Sequence, residues 1–302
     1  MKILLVVNPI SGDINKEEFT ATAVNRCNEE GHEVKVFKTT GENDLERIRK
    51  EIHENSPDRL LSLGGDGNFI LCCESAEGKN IPVGLIPMGS ANGLALELGI
   101  PKNYSVALEL FLKTTKVHHL DAICVNDHMH CVHLGDVGIN AEIVKDFDED
   151  ESRGMLTYAK HLTKALAETQ PFQVQVESEG KRLFEGEVVM VGIGNCRRYG
   201  TGVYLTGYGN PFDGLFELIL IDKMSVSTIL RKGLTLLNKE VANGEDTKIL
   251  QLKEAKISLT EKRLLQLDGE PEGRYDNLIL KMKKAYFPVI ISENHTFTAG
   301  NL

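Results

Sequence analysis

The feature that most constrains the fold of this chain is a glycine-rich turn directly after a short apolar stretch, Leu63-Gly64-Gly65-Asp66-Gly67-Asn68. Residues 59–63 predict a strand, and the apolar residues that follow the turn predict a helix over 69–77. The three glycines tolerate positive φ and leave no Cβ in front of a ligand, so successive N–H groups can turn toward an anion. Because a helix N-terminus after such a turn attracts phosphate, the turn predicts phosphoryl chemistry, with Asp66 facing the phosphates or their metal ion.

Asp-Gly is also a strong hairpin signal, so residues 65–68 taken alone fit a simple tight turn equally well. Two other glycine-containing segments, at residues 8–12 and 87–93, also follow apolar runs at predicted strand ends. The carboxyl ends of parallel strands lie at one edge of a sheet, so three such loops would form one crevice. We therefore expect a phosphate-binding crevice, with Ser90 as the N-cap of the helix that follows the third loop.

The first 120 or so residues alternate strand and helix patterns, which predicts a parallel sheet covered by helices. The predicted strands are 2–7, 32–38, 59–63 and 83–86, and the predicted helices are 16–30, 44–54, 69–77, one that begins at 90 or 91, and 105–112. This half is expected to be an α/β nucleotide-binding domain that spans residues 1–123 and is joined by residues 290–302.

Beyond about residue 123 the pattern changes to short apolar runs between glycines and polar turns, with one helical stretch at 156–168. The predicted strands are 172–177, 187–192, 215–221, 255–259, 264–267 and 278–282. These features indicate a β-rich sandwich domain at residues 124–289. A cleft between the two domains is the expected place for a substrate.

Composition excludes several classes of protein. The formal net charge of −10 argues against nucleic acid as a partner, because binding a polyanion requires clustered Lys and Arg. Apolar runs such as 3–7 and 218–221 are too short to cross a bilayer, and the N-terminus lacks the long apolar region of a signal peptide, so we expect a cytoplasmic protein. The six cysteines show no CxxC spacing, which favours reduced thiols.

The chain contains neither a Walker-type phosphate loop nor a dinucleotide fingerprint. Its motifs are instead, in order, Asn-Pro-x-Ser-Gly, Gly-Gly-Asp-Gly, Pro-x-Gly-Ser-x-Asn and, much later, Asp268-Gly269-Glu270. Together with Asp121, Gly138-Ile139-Asn140-Ala141, Gly194-Asn195 and Asp213-Gly214-Leu215, this order resembles the family of diacylglycerol kinases and sphingosine kinases over nearly the whole chain. The resemblance implies an N-terminal domain of the NAD kinase and phosphofructokinase type. It also implies ATP and Mg²⁺ as cofactors, and phosphorylation of a hydroxyl on a diacylglycerol- or sphingoid-like lipid.

The same resemblance assigns roles to individual residues. The residues that it places around ATP are Asn8, Ser11, Gly12, Thr40, Gly64, Gly65, Asp66, Gly67, Gly89, Ser90, Asn92 and Glu270. It implies that Asp268 and Asp66 are catalytic, with Asp268 as the general base toward the lipid hydroxyl. It further implies a structural Mg²⁺ held by Asn210, Asp213 and the Leu215 carbonyl, with Asp121 in the surrounding carboxylate network. A lipid acceptor would require transient association with a membrane surface, and a homodimer is left open.

Two other functions also stay open. Many members of the family continue the Gly-Gly-Asp-Gly motif with Thr and then an Asn-Glu pair, whereas residues 68–71 here are Asn-Phe-Ile-Leu. This departure favours a non-catalytic lipid- or nucleotide-binding protein. A small-molecule kinase of the NAD kinase type shares the motif, but the 87–95 loop and Asp268-Gly269-Glu270 argue against it. A zinc site in the His-rich stretch 118–133 is disfavoured, because strand alternation separates His128 and His130 from Cys131 and His133.

Overall fold

The computed structural model describes residues 1–10, 15–138, 169–198, 204–223, 247–293, 295 and 297. The chain divides into two compact units: Met1–Leu120 with Ala285–Leu302 form the first, and Asp121–Lys284 form the second. The predicted boundaries, at residues 123 and 290, fall a few residues after the observed ones. Both observed boundaries lie within strands, His118–Val125 and Glu270–Val289, so no loop marks them in the sequence.

The first unit contains the predicted parallel sheet. Strand β1 (Lys2–Val7) lies between β2 (Glu33–Lys38) and β3 (Arg59–Gly64), and β4 (Val83–Pro87) follows beyond β3. In β1, β3 and β4 nearly every residue is buried, as expected for parallel strands covered on both faces. The edge strand β2 is largely exposed. Val289 returns from the end of the chain to pair in parallel with Val83.

The helices in the described part of the first unit are α1 (Lys16–Glu29), α2 (Asp44–Asn55), α3 (Asp66–Ser75), α4 (Gly93–Glu97) and α5 (Tyr104–Lys113). Asparagine side chains cap two of them: Asn15 accepts the Glu17 N–H at the start of α1, and Asn103 accepts the Val106 N–H at the start of α5. Helix α3 packs against β1, β3 and β4. It begins at Asp66 rather than at residue 69, so the glycine turn and the helix N-terminus overlap. No helix of the described residues is long and apolar enough to span a membrane.

The second unit is rich in strands. They are β5 (His118–Val125), β6 (Met129–Cys131), β7 (Leu134–Val137), β8 (Phe172–Ser178), β9 (Lys181–Val188), β10 (Met190–Gly194), β11 (Phe216–Ile221), β12 (Thr247–Leu252), β13 (Glu254–Leu267) and β14 (Glu270–Val289), of which the start of β5 and the end of β14 belong to the first unit. One run of neighbours is β12-β11-β10-β7-β13, and another is β9-β8-β13. The long strand β13 belongs to both runs: its first half pairs with β8 and its second half with β7.

A register shift between Ser258 and Arg263 separates the two halves of β13, and such irregularities bend a strand. Side chains from both runs of strands form one hydrophobic core, which includes Val176, Val191 and Leu218. The predicted β-rich C-terminal domain is therefore confirmed.

Some predicted strand limits are wrong. The two strands predicted at 255–259 and 264–267 are one continuous strand, because the polar residues between them form the irregular part of β13 rather than a turn. The strand predicted at 187–192 is divided between the end of β9 and most of β10. The helical stretch predicted at 156–168 lies outside the described residues.

Candidate active site

The carboxyl ends of β1 to β4 meet at one edge of the parallel sheet, and they carry the predicted nucleotide-binding loops. Asn8 follows β1, Thr40 follows β2, Gly65 follows β3 and Gly89 follows β4. Backbone hydrogen bonds join neighbouring strand ends: the Asn8 N–H donates to the Leu63 carbonyl at 3.1 Å. The structure thus brings these loops together as parallel-sheet topology requires. Ser11 and Gly12 lie outside the described residues.

The loops after β3 and β4 approach each other backbone to backbone. A Cβ added at Gly89 would lie 2.4 Å from the Gly65 Cα, which no real side chain tolerates. A Cβ at Gly67 would instead meet nothing within 4 Å. None of Gly64, Gly65 and Gly67 adopts positive φ, so the prediction of a left-handed backbone at these glycines is wrong. Close approach explains Gly65 and Gly89, and Gly67 leaves the loop surface open.

Asp66 begins α3, and its carboxylate is held at the start of a second helix. Oδ2 accepts the Leu94 N–H at 3.0 Å, and Oδ1 accepts the Ala95 N–H at 3.3 Å. A carboxylate at a helix N-terminus satisfies backbone N–H groups that have no partner within the helix and lies at the positive end of its dipole. Asp66 therefore fixes the third loop and α4 against the glycine turn, and its role toward phosphate or metal stays a prediction.

Asn92 organises the loop between β4 and α4. It adopts the left-handed conformation at φ 53°, and its Oδ1 accepts the Gly89 N–H at 3.0 Å. Its Nδ2 donates to the carbonyls of Gly89 at 2.7 Å and Pro87 at 3.2 Å. The prediction that Ser90 caps the helix is wrong, because α4 begins at Gly93 with Asn92 as the N-cap residue. Ser90 is exposed in the loop.

Sequence reasoning missed a buried lysine at the same edge. Lys16, the first residue of α1, is only 3% exposed, and its Nζ donates to the Asn8 carbonyl at 2.8 Å. Burial lowers the pKa of its ammonium. The only signal in the sequence was a lysine at the start of the helix that follows the first loop.

Asp44 holds the loop that carries Thr40. This carboxylate, at the first position of α2, accepts the backbone N–H groups of Thr40 and Gly41. The Arg47 guanidinium donates to both the Asp44 carboxylate and the Thr40 hydroxyl, at 2.7 Å in each case. Thr40 is therefore held in a fixed position after the end of β2, and it is exposed to solvent.

Asn68, at which the sequence departs from the family motif, is a buried structural residue. Its Nδ2 donates to the Ser62 hydroxyl at 2.8 Å and to the Val6 carbonyl at 3.2 Å. A Cβ at Gly64 would lie 2.8 Å from the Asn68 Cβ. Asn68 thus ties the first turn of α3 to β1 and β3, and its presence explains why residue 64 is glycine.

In the second unit, Asp268 lies in a cradle of backbone N–H groups. It adopts φ 51° in the turn between β13 and β14. Its Oδ1 accepts the N–H groups of His133 at 2.7 Å and Leu134 at 3.1 Å, and its Oδ2 accepts the Val132 N–H at 2.8 Å. The Cys131 thiol lies 3.6 Å from Oδ1.

Two opposing influences act on the Asp268 carboxyl. Withdrawal from water raises its pKa, and the N–H groups of Val132 and His133 oppose that rise. The net direction is upward, which moves the group from an ordinary surface carboxylate toward a better proton acceptor. Glu270, the first residue of β14, is exposed two residues further along.

Three of the predicted metal ligands, Asn210, Asp213 and Leu215, lie in the segment before β11, and Asp121 of β5 is hydrogen-bonded to this segment. The buried Asp121 accepts the Gly214 N–H at 2.6 Å on Oδ2, and its own N–H donates to the Pro211 carbonyl. Asp213 Oδ1 accepts the Leu215 N–H at 2.9 Å, and Asn210 Oδ1 accepts the Phe212 N–H at 3.2 Å.

Influences of both signs act on the pKa of the Asp213 carboxyl. Partial withdrawal from water raises the pKa of Asp213, the Leu215 N–H opposes that rise, and the nearby Asp121 charge adds to it. Within the described ranges, no three His, Cys, Asp or Glu side chains are grouped so that they could hold a metal ion. A metal here would therefore depend on carbonyl, amide and water oxygens as well as these two carboxylates, which is the ligand chemistry of Mg²⁺.

Comparison with known proteins agrees with this division of the chain. Residues 2–125 match the model of the diacylglycerol kinase catalytic domain, and residues 135–286 match that of the YegS C-terminal NAD kinase beta sandwich-like domain. A diacylglycerol kinase of Bacillus subtilis is 24% identical over 273 residues, which is 89% of either chain.

Solved structures share the fold. A diacylglycerol kinase from Bacillus anthracis matches with a TM-score of 0.72 at 19% identity, covering 97% of this chain and 98% of that one. An NAD kinase from Archaeoglobus fulgidus in complex with ATP matches with a TM-score of 0.56 at 14% identity, covering 98% and 95%. With its glycine loops in the first domain and its β-rich second domain, the chain belongs to the kinase family that joins a diacylglycerol kinase catalytic domain to a YegS-type C-terminal domain.

Proposed function

We propose that this kinase transfers the γ-phosphoryl group of ATP to a hydroxyl of a diacylglycerol- or sphingoid-like lipid. The observation that carries the proposal is the cluster of loops at the carboxyl ends of β1 to β4. There the backbones of Gly65 and Gly89 are in direct contact, and no atom lies within 4 Å of the position that a Cβ of Gly67 would occupy. Such a surface allows a phosphate chain to lie directly against backbone N–H groups. ATP is proposed to bind there, with Asn8, Thr40 and Asn92 shaping the rim.

Catalysis of phosphoryl transfer depends mainly on position and charge, because the transition state is loose and its charge is spread over the phosphoryl oxygens. The acceptor hydroxyl oxygen forms a bond to the γ-phosphorus, the bond to the β,γ-bridging oxygen breaks, and ADP leaves. Asp268 is proposed to receive the hydroxyl proton. Its raised pKa suits that role, and a positioned base contributes roughly 10²- to 10⁴-fold to the rate.

Mg²⁺ is proposed to bind where Asp121 of β5 meets the loop that contains Asn210, Asp213 and the Leu215 carbonyl. The negative charge of Asp121 raises the pKa of Asp213, so a bound cation would offset the repulsion between the two carboxylates. The other ligands are also oxygen atoms, so the residues fit Mg²⁺. Bound Mg²⁺ would supply positive charge in the second unit. A lipid acceptor also implies that the enzyme, which we propose to be cytoplasmic, associates transiently with a membrane surface.

A second candidate is a binding protein that retains the fold without turnover. It is favoured by the contacts of Asp66 and Asp268, because the carboxylates of both accept backbone N–H groups of the protein itself.

Transfer of labelled γ-phosphate from ATP with Mg²⁺ distinguishes the two functions. The acceptors are mixed micelles that contain diacylglycerol, a sphingoid base, ceramide or monoacylglycerol. We expect one lipid class to be labelled by the native protein, and Asp268→Asn to reduce kcat by roughly 10²- to 10⁴-fold without changing the KM for ATP. Asp222→Asn, an exposed carboxylate at the end of β11, is the matched control and should leave both constants unchanged. A protein that binds ATP but labels no lipid would favour the binding protein.

A further inference from the structure

After β14 the chain continues along the first unit and buries a histidine there. The Ile290 N–H donates to the Val83 carbonyl of β4 at 2.9 Å, so the chain remains attached to the parallel sheet beyond the strand. Further on, His295 is 5% exposed and Phe297 is 6% exposed. We call the described residues that follow β14 in this unit the C-terminal segment, namely residues 290–293, 295 and 297.

His295 packs against the turn that ends α4. Gly99 adopts φ 67° there, its N–H donates to the Leu96 carbonyl, and the Ile100 N–H donates to the Ala95 carbonyl. This is the Schellman arrangement, which satisfies the last carbonyl groups of a helix within the chain itself. A Cβ at Gly99 would lie 3.4 Å from the His295 Cα. The C-terminal segment therefore lies directly on the end of α4.

The hydrogen bond that His295 accepts depends on the protonation state of its ring. The Phe297 N–H donates to the His295 Nδ1 at 3.2 Å. A ring nitrogen that accepts a hydrogen bond carries no proton, so this imidazole is the neutral tautomer with its proton on Nε2. A proton on Nδ1 would place two N–H donors against each other. The observed conformation of the segment therefore requires a neutral His295.

A second histidine lies against the ring of His295. The ring of His118, at the start of β5, is nearly perpendicular to it, and the two ring centroids are 5.0 Å apart. Burial, the charge of His118 and the charge of Lys116 all lower the pKa of His295. Burial, Lys116 and His119 lower the pKa of His118, and Glu293 opposes that decrease. Protonation of both rings would therefore put two like charges side by side in a buried place.

The pH range of this effect follows from its sign. Both pKa values lie below the ordinary value of 6.5, so a released segment binds protons more readily than the docked one. Docking is then most stable above about pH 6.5, and it loses stability as the pH falls from there toward the lower pKa values of the docked state. The helix beneath His295 carries one charged residue, Glu97, which is buried.

We propose that His295 and His118 form a pH-sensitive latch that docks the C-terminal segment on the end of α4 while both rings are neutral and releases it when they become protonated. The latch supports the C-terminal end of α4, and the Asp66 carboxylate supports the N-terminal end of the same helix. Release would therefore loosen α4 from one side. The latch lies within the first unit and does not depend on the proposed phosphoryl transfer.

Hydrogen exchange of the full chain between pH 5 and pH 8 measures the opening of the latch, once each rate is divided by the intrinsic amide exchange rate at that pH. In the native protein, peptides that contain residues 98–100 or Phe297 should exchange roughly 10- to 100-fold faster at pH 5 than at pH 8, because protonation leaves a buried N–H without its acceptor. An asparagine oxygen also accepts the N–H two residues further on, and it takes up no proton. His295→Asn should therefore retain the protection at pH 8 and lose the acceleration at pH 5. His53→Asn, which replaces an exposed histidine of α2, is the matched control and should respond to pH like the native protein.

A second variant separates protonation from packing. His118→Phe keeps an aromatic ring against His295 and removes one charge, so its acceleration at pH 5 should be smaller than that of the native protein. A native protein whose protection is the same at pH 5 and pH 8 would overturn the latch, as would a native response in His295→Asn or a lost response in His53→Asn. If His295→Asn exchanges rapidly at both pH values, His118→Phe decides: a reduced response there supports the latch, and a native response rejects it.

Discussion

At the scale of single residues, the glycines of the two loops serve different purposes that the sequence does not separate. Gly64 makes room for Asn68, Gly65 and Gly89 make room for each other, and Gly67 borders empty space. The sequence selects all four positions, but for Gly64, Gly65 and Gly67 it predicts positive φ, which none of the three adopts. The contacts that require glycine come from residues on other strands, and these contacts depend on the three-dimensional arrangement.

The contrast between Gly89 and Gly67 leads to a prediction. Gly89→Ala places a Cβ 2.4 Å from the Gly65 Cα, so we expect the loops to move apart and the free energy of unfolding to fall by about 1–3 kcal/mol. Gly67→Ala meets no atom within 4 Å and lies in the first turn of a helix, where Ala is favoured over Gly. Its thermal midpoint should be unchanged or higher.

ATP affinity distinguishes the role of Gly67 from its effect on folding. If phosphates lie against the loop, the added methyl group of Gly67→Ala should raise the Kd for ATP although the protein is fully folded. Thermal unfolding and ATP titration of both variants provide the measurement. An unchanged ATP affinity in Gly67→Ala would place the phosphates elsewhere.

At the scale of secondary-structure elements, prediction succeeded where the residues that specify an element are close in the sequence. Strands β1, β3 and β4 and helices α1, α2 and α5 follow from local apolar patterns and caps, and they end within about two residues of their predicted limits. The prediction of the start of α4 failed because Asn92 in the left-handed conformation, rather than Ser90, precedes the helix. The carboxylate that completes this N-terminus, Asp66, belongs to a different helix.

The contact between Asp66 and α4 predicts a local effect. Asp66→Asn removes the negative charge from the Leu94 and Ala95 N–H groups, and we expect a loss of about 1 kcal/mol, as for a removed helix cap. Hydrogen exchange of the amides at 94–97 should become faster, whereas exchange in α5 should stay the same.

Asp44→Asn is the matched control, since Asp44 also accepts two loop N–H groups but belongs to α2. It should accelerate exchange at residues 40–41 and leave 94–97 unchanged. Equal exchange of α4 in Asp66→Asn and the native protein would show that the carboxylate does not stabilise this helix.

At the scale of the whole molecule, the sequence predicts two domains and the order of their functions along the chain, but not the residues whose burial depends on the tertiary fold. The roles proposed for Asp121, Asp213 and Asp268 come from motifs that resemble those of a family. Lys16 belongs to no such motif and was missed, since only the tertiary fold buries it.

The assignment of nucleotide to the first unit and lipid headgroup to the second predicts two separate footprints. A ligand at a concentration of about 100 times its Kd stabilises the native state by ~2.7 kcal/mol, which is large enough to slow amide exchange in the segments that it touches. ATP with Mg²⁺ should protect residues 8–10, 64–68 and 88–95, and a short-chain acceptor lipid should protect residues 132–134, whose N–H groups surround the Asp268 carboxylate. Hydrogen exchange with each ligand alone measures both footprints in the full chain.

Two variants identify the source of each footprint. Gly67→Ala should weaken the protection by ATP alone, and Asp268→Asn should weaken the protection by the lipid alone, because each substitution changes only one of the proposed sites. Residues of β2, at the far edge of the parallel sheet, serve as an internal reference in both experiments. If ATP alone protected residues 132–134 as strongly as it protects 64–68, the Asp268 cradle would belong to the nucleotide site, and the assignment of Asp268 to the lipid hydroxyl would be wrong.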